Sequence, residues 1–460
     1  MEIIKLSELV SAVGGTLLGD YRNMDAEIGC VDTDSRNVRP GALFIPLVGE
    51  RFDGHTYITA ALEKGAAGCL TAREQEAYRE DKFYIKVADT QDALRDLAVW
   101  YKSRFEIPFV AVTGSVGKTT AKDMIAAVLS TKYKVLKTEG NFNNNIGLPL
   151  TILRLTREHE VCVLEMGMDC FGEIDYLGNI VKPHVGVITN IGDAHIERLG
   201  SRENIFKAKC ELLPHIRPDG LLVCNGDDAM LSTLRGNTAV KTVFCGEKEG
   251  LEYRAALTGG DGISHIHCHM TTPGMDREVK VPALGAHMIY PCLIAAAVGE
   301  HLGLTADEIE EGLLSFVPTK MRMNVLRTKS GVTILDDTYN ANPQSMRAAI
   351  SVLADGKSEW KVAVLGDMFE LGVFAAALHT SVGEYLGKVG INCLVAVGEL
   401  SQYIAEGARE SGVPHVYHCA NKREAKQMLH EVIKPGCTVL VKASRGMVME
   451  EISAFLLAEA

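Results

Sequence analysis

The sequence lacks a long apolar run. None of its 460 residues lies in a stretch of the roughly 18 consecutive apolar residues that a membrane-spanning helix needs. Residues 1–5, MEIIK, also lack the charged start, apolar centre and small-residue cleavage site of a signal peptide. We therefore expect a cytoplasmic protein that does not insert into a membrane.

Positive charge is also in short supply. The chain has 47 lysine and arginine residues against 59 aspartate and glutamate residues, which gives a net charge of −12. Nucleic-acid-binding domains usually carry a basic face. The composition therefore argues against a nucleic-acid partner.

Cysteine is sparse, with 12 residues scattered along the chain. This distribution favours reduced thiols in the core over a disulfide framework. The tract HIHCH would place His265, His267 and His269 on one face of a strand. No second cluster with zinc-ligand spacing accompanies it, so an exposed strand face is favoured over a metal site.

Three regions differ in their pattern, and 460 residues are too many for one ordinary core. Residues 1–100 contain mixed short strands, turns and helices. Strands alternate with helices over 101–316, and this alternation restarts over 317–460. The pattern predicts an α/β protein with several domains.

Short apolar runs that end in glycine or polar residues predict buried parallel strands. These runs are 109–114, 161–167, 185–192, 221–228, 332–339, 361–368, 393–398 and 438–446. A further strand is predicted at 43–49, and helices are predicted at 58–68, 90–105, 201–213 and 289–303. Three polar motifs, DDTYNANP, LGDMFELG and KASRGM, follow strands of the last region, so we expect them to meet at one sheet edge.

A glycine-rich loop follows the strand at 109–114 and precedes a predicted helix. It is a compact variant of the phosphate-binding pattern, because Val112 stands where that pattern has its first glycine. Backbone N–H groups of such a loop face a phosphate, its lysine reaches the terminal phosphates and its threonine binds Mg²⁺. The predicted loop residues are Thr113, Gly114, Ser115, Val116, Gly117, Lys118, Thr119 and Thr120.

Two further side chains are candidates for a metal site. Glu165 ends the strand at 161–167, and its carboxylate is the type of ligand that Mg²⁺ prefers. His195 follows the next predicted strand. A metal ligand is favoured over a solvated strand-end acid for Glu165, whereas an isolated His195 would more often be a loop or packing residue; beside the phosphate loop, both are interpreted as metal ligands.

Lys209 occupies an unusual position. If Ser201 is an N-cap, then Ile205, Lys209, Leu212 and Leu213 share one helical stripe. A lysine on a buried face is costly unless it is paired, neutralised or modified. A lysine at the stripe's edge can instead extend its amine to solvent, and the pattern alone leaves both readings open.

Five motifs in order resemble those of the Mur ligases. They are TGSVGKTT (113–120), GNFNNNIGLPLT (140–151), LEMGMDCFGEI (164–174), VITNIGDAHIERLGS (187–201) and DDTYNANPQSM (336–346). Residues 32–68 are similar to the family's UDP-binding domain, and 439–452 to a motif of its third domain, so the resemblance covers nearly the whole chain. The last motifs are most similar to the members that add D-alanyl-D-alanine.

The resemblance implies three domains. They are a small α/β UDP-binding domain (1–100), a central P-loop mononucleotide-binding domain with a mostly parallel sheet (101–316), and a C-terminal Rossmann-like domain that binds the acceptor (317–460). It implies a monomeric ligase that uses ATP and two Mg²⁺ ions. ATP would phosphorylate the terminal carboxylate of UDP-N-acetylmuramoyl-tripeptide, and the amine of D-alanyl-D-alanine would attack the acyl phosphate, giving a precursor of peptidoglycan.

The resemblance also implies roles for single residues. Lys118, Glu165, His195 and Lys209 would be catalytic. Thr119, Glu165, His195 and Lys209 would bind metal, with Lys209 as a carbamate. The remaining assignments are Asn145, Arg322 and Asp337 to ATP, Ser35, Arg36, Asp53, Gly54 and His55 to the UDP substrate, and Tyr339, Asn340, Asn342 and Arg445 to the acceptor.

Two stretches depart from the family's pattern. The adenine-side helix of the family usually opens with HN…YN, whereas AHMIYPCL (286–293) keeps His287 and has Met288 and Pro291 in place of the asparagines. After LGDMFELG the family usually carries acidic residues, whereas this chain has VFAAALH (373–379). The adenine contacts of the family therefore cannot be transferred to this helix.

Three alternatives remain beside this hypothesis. A sister ligase would add another amino acid to the same precursor, but YNANPQSM argues for the dipeptide-adding members. A polyglutamate ligase shares the central fold, but the UDP-type first domain argues against it. A regulatory P-loop ATPase would turn over ATP without an acceptor amine.

Overall fold

The computed structural model of the protein describes residues 1–49 and 51–459. Its strands are, in chain order, β1 (Ile4–Lys5), β2 (Thr16–Leu18), β3 (Glu27–Ile28), β4 (Val31–Asp32), β5 (Leu43–Phe44), β6 (Val48–Gly49), β7 (Phe52–Asp53), β8 (Gly68–Thr71), β9 (Phe83–Lys86), β10 (Phe109–Thr113), β11 (Val135–Lys137), β12 (Val161–Glu165), β13 (Val185–Ile188), β14 (Leu221–Asn225), β15 (Lys241–Gly246), β16 (Tyr253–Gly260), β17 (Ile266–Thr272), β18 (Met275–Val281), β19 (Asn324–Arg327), β20 (Thr333–Asp336), β21 (Lys361–Gly366), β22 (Cys393–Val397), β23 (His415–Cys419) and β24 (Thr438–Lys442).

Its α-helices are α1 (Leu6–Ala12), α2 (Ile58–Glu63), α3 (Thr90–Lys102), α4 (Lys118–Leu129), α5 (Gly147–Ile152), α6 (Glu173–Val181), α7 (Ile196–Leu199), α8 (Arg202–Cys210), α9 (Ile289–His301), α10 (Ala306–Leu314), α11 (Pro343–Asp355), α12 (Ala375–Lys388), α13 (Ser401–Glu410), α14 (Lys422–Val432) and α15 (Glu450–Glu459). Within the described ranges, no helix has the length and apolar character needed to cross a membrane.

The chain forms two compact units. Unit 1 comprises residues 1–111, 133–168 and 173–184, and unit 2 comprises residues 112–132, 169–172 and 185–460. The division passes through strand β10. The predicted boundaries of three domains are not tested by this division and stay a prediction.

Unit 1 contains a five-stranded sheet in the order β2-β9-β8-β5-β4. Strand β2 is antiparallel to β9, and the other neighbours are parallel. Phe44, Ile58, Leu62 and Tyr84 form part of the core on one side of this sheet. The same unit holds β11 and β12, which pair in parallel.

The single strand predicted at 43–49 is wrong. The structure has two short strands there, β5 and β6, which are separated by a segment containing Pro46. Proline has no N–H group to donate to a neighbouring strand. The Pro46 carbonyl accepts a hydrogen bond of 2.5 Å from the side-chain Oγ1 of Thr90.

The first sheet of unit 2 has the strand order β10-β13-β14-β15-β16-β17-β18. Strands β13 to β16 are parallel, whereas β16, β17 and β18 are antiparallel. On β17, His267 and His269 alternate with the buried residues Ile266, Cys268 and Met270. This alternation confirms the predicted strand face for His267 and His269; His265, predicted on the same face, lies just before β17 begins at Ile266.

A second sheet of unit 2 has the order β19-β20-β24-β21-β22-β23. Only β19 is antiparallel to its neighbour. The three polar motifs follow β20, β21 and β24, which are adjacent, so their carboxyl ends share one edge. Ser444 N donates to Asp367 O at 3.0 Å, and Phe369 N donates to Ser444 Oγ at 2.9 Å. Ser444 Oγ also lies 3.4 Å from Ala341 O in DDTYNANP, which confirms that the three motifs meet.

Candidate active site

The phosphate loop begins where β10 ends. All five residues of β10 are buried, and the chain then turns at Gly114, which has a φ of +145°. A Cβ atom on Gly114 would lie 1.9 Å from Thr189 Oγ1, so a side chain does not fit there. Gly117, with a φ of +80°, precedes α4, whose first N–H groups are left for an anion.

The loop is fixed by the segment that follows β13. Val116 N donates to Asn190 Oδ1 at 2.9 Å, and Thr189 Oγ1 donates to Val116 O at 2.7 Å. Gly192 N donates to Ser115 Oγ at 2.9 Å. Thr189 and Asn190 lie in a motif quoted from the sequence but were not predicted individually; their role depends on the pairing of β10 with β13.

Two lysines lie close together beside this loop. Lys118 Nζ donates to Gly114 O at 2.8 Å. Lys209 is buried, with 1% of its surface exposed, whereas Lys207 on the same helix is exposed. Burial, and secondarily the charge of Lys118, lowers the pKa of Lys209 well below its usual value.

The burial of Lys209 confirms the part of the predicted stripe that lies on α8, whereas Leu212 and Leu213 lie beyond the last residue of that helix, Cys210. Ile205 and Leu212 are also buried, and Ser201 caps α8 by accepting a hydrogen bond from Asn204 N at 3.2 Å. The amine is therefore held in a place where its charge is poorly solvated. The reading of Lys209 as a solvent-reaching lysine at the stripe's edge is excluded.

His195 lies between two carboxylates. Its Nδ1 is 2.8 Å from Glu370 Oε2 and 3.1 Å from Asp169 Oδ1, and the contact with His195 lowers the pKa of Glu370. Ligand atoms of the three residues lie within 4.8 Å of one another, so they could hold a metal ion. His195 Nδ1 is buried and makes no hydrogen bond to another described residue, so its approaches to the two carboxylates are electrostatic contacts.

Asp169 and Glu370 were not predicted individually. Both lie in quoted motifs, LEMGMDCFGEI and LGDMFELG, but a pattern of residue types does not pair one motif with the other. His195 and Glu370 both have positive φ angles, 64° and 62°. Such backbone strain in residues other than glycine needs support from the surrounding structure.

Glu165 ends β12 in unit 1 and is buried, with 3% of its surface exposed. Asn143 Nδ2 donates to its Oε1 at 2.9 Å. Its Oε2 is buried and has no hydrogen-bond partner among the described residues. Asn145, the predicted ATP contact, is exposed, and it is Asn143 that touches the carboxylate.

Arg322 contacts the phosphate-loop helix within unit 2. Its Nη2 donates to Thr119 Oγ1 at 3.0 Å. Thr319 donates a short hydrogen bond to Asp123, one turn further along α4. Two predicted ATP residues, Thr119 and Arg322, are therefore in direct contact.

Asp337 joins the segment of Arg322 to the loop after β20. Met323 N donates to Asp337 Oδ1 at 3.1 Å, and Lys442 Nζ lies 2.5 Å from Asp337 Oδ2. Lys442 Nζ also donates to Asn340 O at 2.9 Å. Burial lowers the pKa of Lys442, although Asp337 opposes this shift; Lys442 was quoted in a motif but not predicted as a site residue.

The predicted acceptor residues differ in what they contact. The Tyr339 ring lies 4.0 Å from the Arg322 guanidinium carbon. Asn342 caps α11, because its Oδ1 accepts from Ser345 N at 2.9 Å. Arg445 pairs with Glu450 at 2.7 Å.

The predicted UDP residues form two local groups in unit 1. Arg36 pairs with Asp34 at 2.8 Å, and the carbonyl of Ser35 accepts from Lys64 Nζ at 2.8 Å. The ion pair joins Arg36 with Asp34, and the hydrogen bond from Lys64 uses the backbone carbonyl of Ser35 and not its hydroxyl.

The second group is centred on Asp53. Its Oδ1 accepts from His55 N at 3.0 Å and contacts His55 Nδ1 at 2.8 Å, and Arg73 pairs with its Oδ2. These bonds, led by that from His55 N, lower the pKa of Asp53 to about 2. A Cβ atom on Gly54 would lie 2.5 Å from Leu47 O, so the turn requires glycine.

The adenine-side departure has a structural reason. Met288 is buried, and Pro291 lies in the first turn of α9, where a missing N–H costs no helical hydrogen bond. His287 lies in a short 3₁₀ turn just before that helix.

Comparison with known proteins identifies the family. The Mur ligase family catalytic domain matches residues 27–101, the Mur ligase middle domain matches 112–299, and the Mur ligase glutamate ligase domain matches 321–445. The UDP-N-acetylmuramoyl-tripeptide--D-alanyl-D-alanine ligase of Bacillus subtilis is 39% identical over 97% of each chain. This chain belongs to the Mur ligase family.

Solved structures agree with this assignment. MurF from Acinetobacter baumannii superposes with a TM-score of 0.92 at 32% identity, with all of both chains covered. MurF ligase from Thermotoga maritima, solved in complex with ADP, gives a TM-score of 0.81 at 30% identity over 93% of this chain and 97% of that one. The expected α/β fold class, that of the three-domain Mur ligases, is confirmed.

Proposed function

We propose that this Mur ligase uses ATP to join D-alanyl-D-alanine to UDP-N-acetylmuramoyl-tripeptide, giving UDP-N-acetylmuramoyl-pentapeptide, ADP and phosphate. The observation that carries the proposal is the end-to-end match with the Bacillus subtilis enzyme, which covers 97% of both chains. A match of this extent includes both the phosphate loop at 113–120 and the loop after β20, which holds Tyr339, Asn340 and Asn342.

The reaction transfers the γ-phosphoryl group to a carboxylate. A carboxylate oxygen of the tripeptide attacks the γ-phosphorus, and the bond from that phosphorus to the ADP oxygen breaks. The amine of the dipeptide then attacks the acyl carbon, the carbon–oxygen bond to phosphate breaks, and the amine loses a proton. Since two anions must approach each other, the site has to supply positive charge.

Lys118 and Arg322 supply that charge from the protein. Lys118 lies at the start of α4 over the loop carbonyl of Gly114, and Arg322 reaches the same helix at Thr119. The N–H groups of residues 114–120 add positive potential at the helix start. Asp337 holds the backbone beside Arg322 through Met323 N.

The donor set fits Mg²⁺. The buried Glu165 Oε2 without a protein partner is an oxygen ligand of the type that this ion prefers, and Thr119 supplies a hydroxyl. We propose Thr119, Glu165, His195 and a carbamate on Lys209 as the protein ligands of two ions. When bound, Mg²⁺ would neutralise phosphate charge and orient the transferred group.

The surroundings of Lys209 support the proposed carbamate. An amine attacks CO₂ only in its neutral form, and burial beside Lys118 favours that form. The nitrogen lone pair forms the new N–C bond as one C=O π bond of CO₂ opens, and the nitrogen releases a proton to solvent, which leaves an anionic carbamate that attracts the positive charge of Lys118. The carbamate also supplies oxygen atoms where an alkylamine offers none.

The substrate-binding assignments complete the proposal. Residues 1–100, 101–316 and 317–460 are proposed as the UDP, ATP and acceptor domains, supported by the three family matches at 27–101, 112–299 and 321–445. Ser35, Arg36, Asp53, Gly54 and His55 are proposed for the UDP substrate, and Asn145 for ATP. For the acceptor we propose Asn340, Asn342 and Arg445, with Arg445 suited to the dipeptide carboxylate, together with Tyr339.

The test is the mass of the product. The protein is incubated with ATP, Mg²⁺ and UDP-N-acetylmuramoyl-tripeptide, with D-alanyl-D-alanine, single amino acids or no acceptor added. We expect a UDP-linked pentapeptide only with the dipeptide. A product formed with a single amino acid and not with the dipeptide would identify a sister ligase, and ATP turnover without any ligated product would indicate a regulatory ATPase.

A further inference from the structure

The head group of Arg322 is held from one face. The Tyr339 ring centroid lies 4.0 Å from its Cζ, a distance at which a guanidinium stacks on an aromatic ring. Nη2 donates to Thr119 Oγ1 at 3.0 Å. Nε is buried and has no hydrogen-bond partner among the described residues, so the guanidinium retains an unused donor at the phosphate loop.

The backbone of Tyr339 is itself fixed. Tyr339 N donates to Met321 O at 3.2 Å, which ties it to the residue before Arg322. Two residues earlier, Asp337 binds Met323 N on the other side of Arg322 and is anchored by the buried Lys442. Hydrogen bonds on both sides of Arg322 therefore connect its segment to the segment of Tyr339.

The backbone around Arg322 is strained. Met321 and Met323 have φ angles of 60° and 54°, a region that residues other than glycine seldom adopt. Such a conformation persists only where the surroundings determine it. Tyr339 and Asp337 supply such surroundings through their hydrogen bonds to Met321 and Met323. These bonds hold the Arg322 guanidinium facing α4.

We propose that Tyr339 is a positioning residue for the nucleotide: its ring holds the Arg322 guanidinium against the phosphate loop and thereby raises the affinity for ATP. This rests on the proposed function, and it gives Tyr339 a role beyond the predicted contact with the acceptor. Stacking uses the ring face and leaves the N–H edge of the guanidinium free for phosphate oxygens. The tyrosine hydroxyl takes no part.

The test measures binding of β,γ-methylene ATP with Mg²⁺ by calorimetry, without the UDP substrate or the acceptor. We expect Tyr339→Leu to weaken binding about three- to tenfold, the range of an aromatic–cation contact, and Tyr339→Phe to change it by less than about twofold. Tyr403→Leu, on α13, is the matched control and should leave binding unchanged. Should Tyr339→Leu fail to fold, Tyr339→Gln replaces it.

A double-mutant cycle separates positioning from a general structural effect. In an Arg322→Ala background, Tyr339→Leu should weaken binding no further, because the tyrosine acts through the arginine. Equal weakening in both backgrounds, or none in the wild-type background, would overturn the inference while the ligase assignment stands. A wild-type protein that does not bind the nucleotide would overturn both.

Discussion

The surroundings of Lys209 are unfavourable to its charge. It is buried beside Lys118, and burial lowers its pKa well below the usual value. In the unfolded chain this amine keeps its proton up to its ordinary pKa of about 10.4. In the folded protein it loses the proton at a lower pH. Without modification, Lys209 therefore destabilises the fold at neutral pH, and this penalty falls as the pH rises.

We predict that Lys209→Met increases the free energy of unfolding at pH 7 by about 1–4 kcal/mol in bicarbonate-free buffer. This advantage over the wild-type protein should shrink as the pH rises. Urea unfolding measures both, and Lys207→Met, at an exposed position of the same helix, is the control. A less stable Lys209→Met protein would contradict the account of an unmodified, poorly solvated amine.

Activity tests the carbamate separately. Lys209→Ala should lose ligase activity, and a small carboxylate such as formate should partly restore it, because it returns an oxygen donor to the cavity. Wild-type activity in Lys209→Ala would remove the carbamate hypothesis. Lys207→Ala should behave as wild type with or without formate.

Lys118 is the lysine of the phosphate loop itself. We predict that Lys118→Ala lowers the turnover rate about 10²- to 10³-fold, as loss of a preorganised charge at the reacting group does. Steady-state phosphate release measures this, with Lys241→Ala, an exposed lysine at the start of β15, as control. Retention of more than about a tenth of the activity, a difference under about 1.4 kcal/mol, would rule out the assigned role.

At the scale of elements, the loop between β10 and α4 depends on Gly114. We predict that Gly114→Ala abolishes measurable nucleotide binding, because its Cβ would lie 1.9 Å from Thr189 Oγ1. Gly236→Ala is the control: its φ is also positive, +72°, but no atom lies within 4 Å of the added Cβ. Equal nucleotide affinity in the two variants, measured by calorimetry, would contradict the proposed steric role.

The elements also show how far sequence reasoning reaches. The apolar runs correctly predicted strands such as β10, β12 and β24, because buried parallel strands need continuous apolar residues. The helical stripe of α8 predicted the burial of Lys209. The prediction of a single strand over 43–49 was wrong at Pro46, because proline has no N–H group to donate to a neighbouring strand.

Contacts between distant motifs could not be predicted in the same way. His195 with Glu370 and Arg322 with Thr119 are paired by the fold of unit 2. Neither residue of such a pair carries a local signal of its partner. The positive φ angles of Met321 and Met323 could not be predicted either, because methionine has no local preference for this region.

At the scale of the whole molecule, the proposed site residues are spread along the chain from Ser35 to Arg445. In unit 2, the segment of Arg322 links the phosphate-loop helix to the loop after β20 through Thr119, Asp337 and Tyr339. A protein that only hydrolysed ATP would not require such a link. The link is expected of an enzyme in which the phosphorylated carboxylate must meet a second substrate.

The most direct test follows the oxygen atoms of the carboxylate. UDP-N-acetylmuramoyl-tripeptide labelled with oxygen-18 in its terminal carboxylate is incubated with the protein, ATP, Mg²⁺ and D-alanyl-D-alanine. The released phosphate is then analysed by mass spectrometry. Attack of the carboxylate on the γ-phosphorus predicts one labelled oxygen in each phosphate released. Unlabelled phosphate, released at the rate of ATP turnover, would show that water is the nucleophile and would contradict the ligase mechanism.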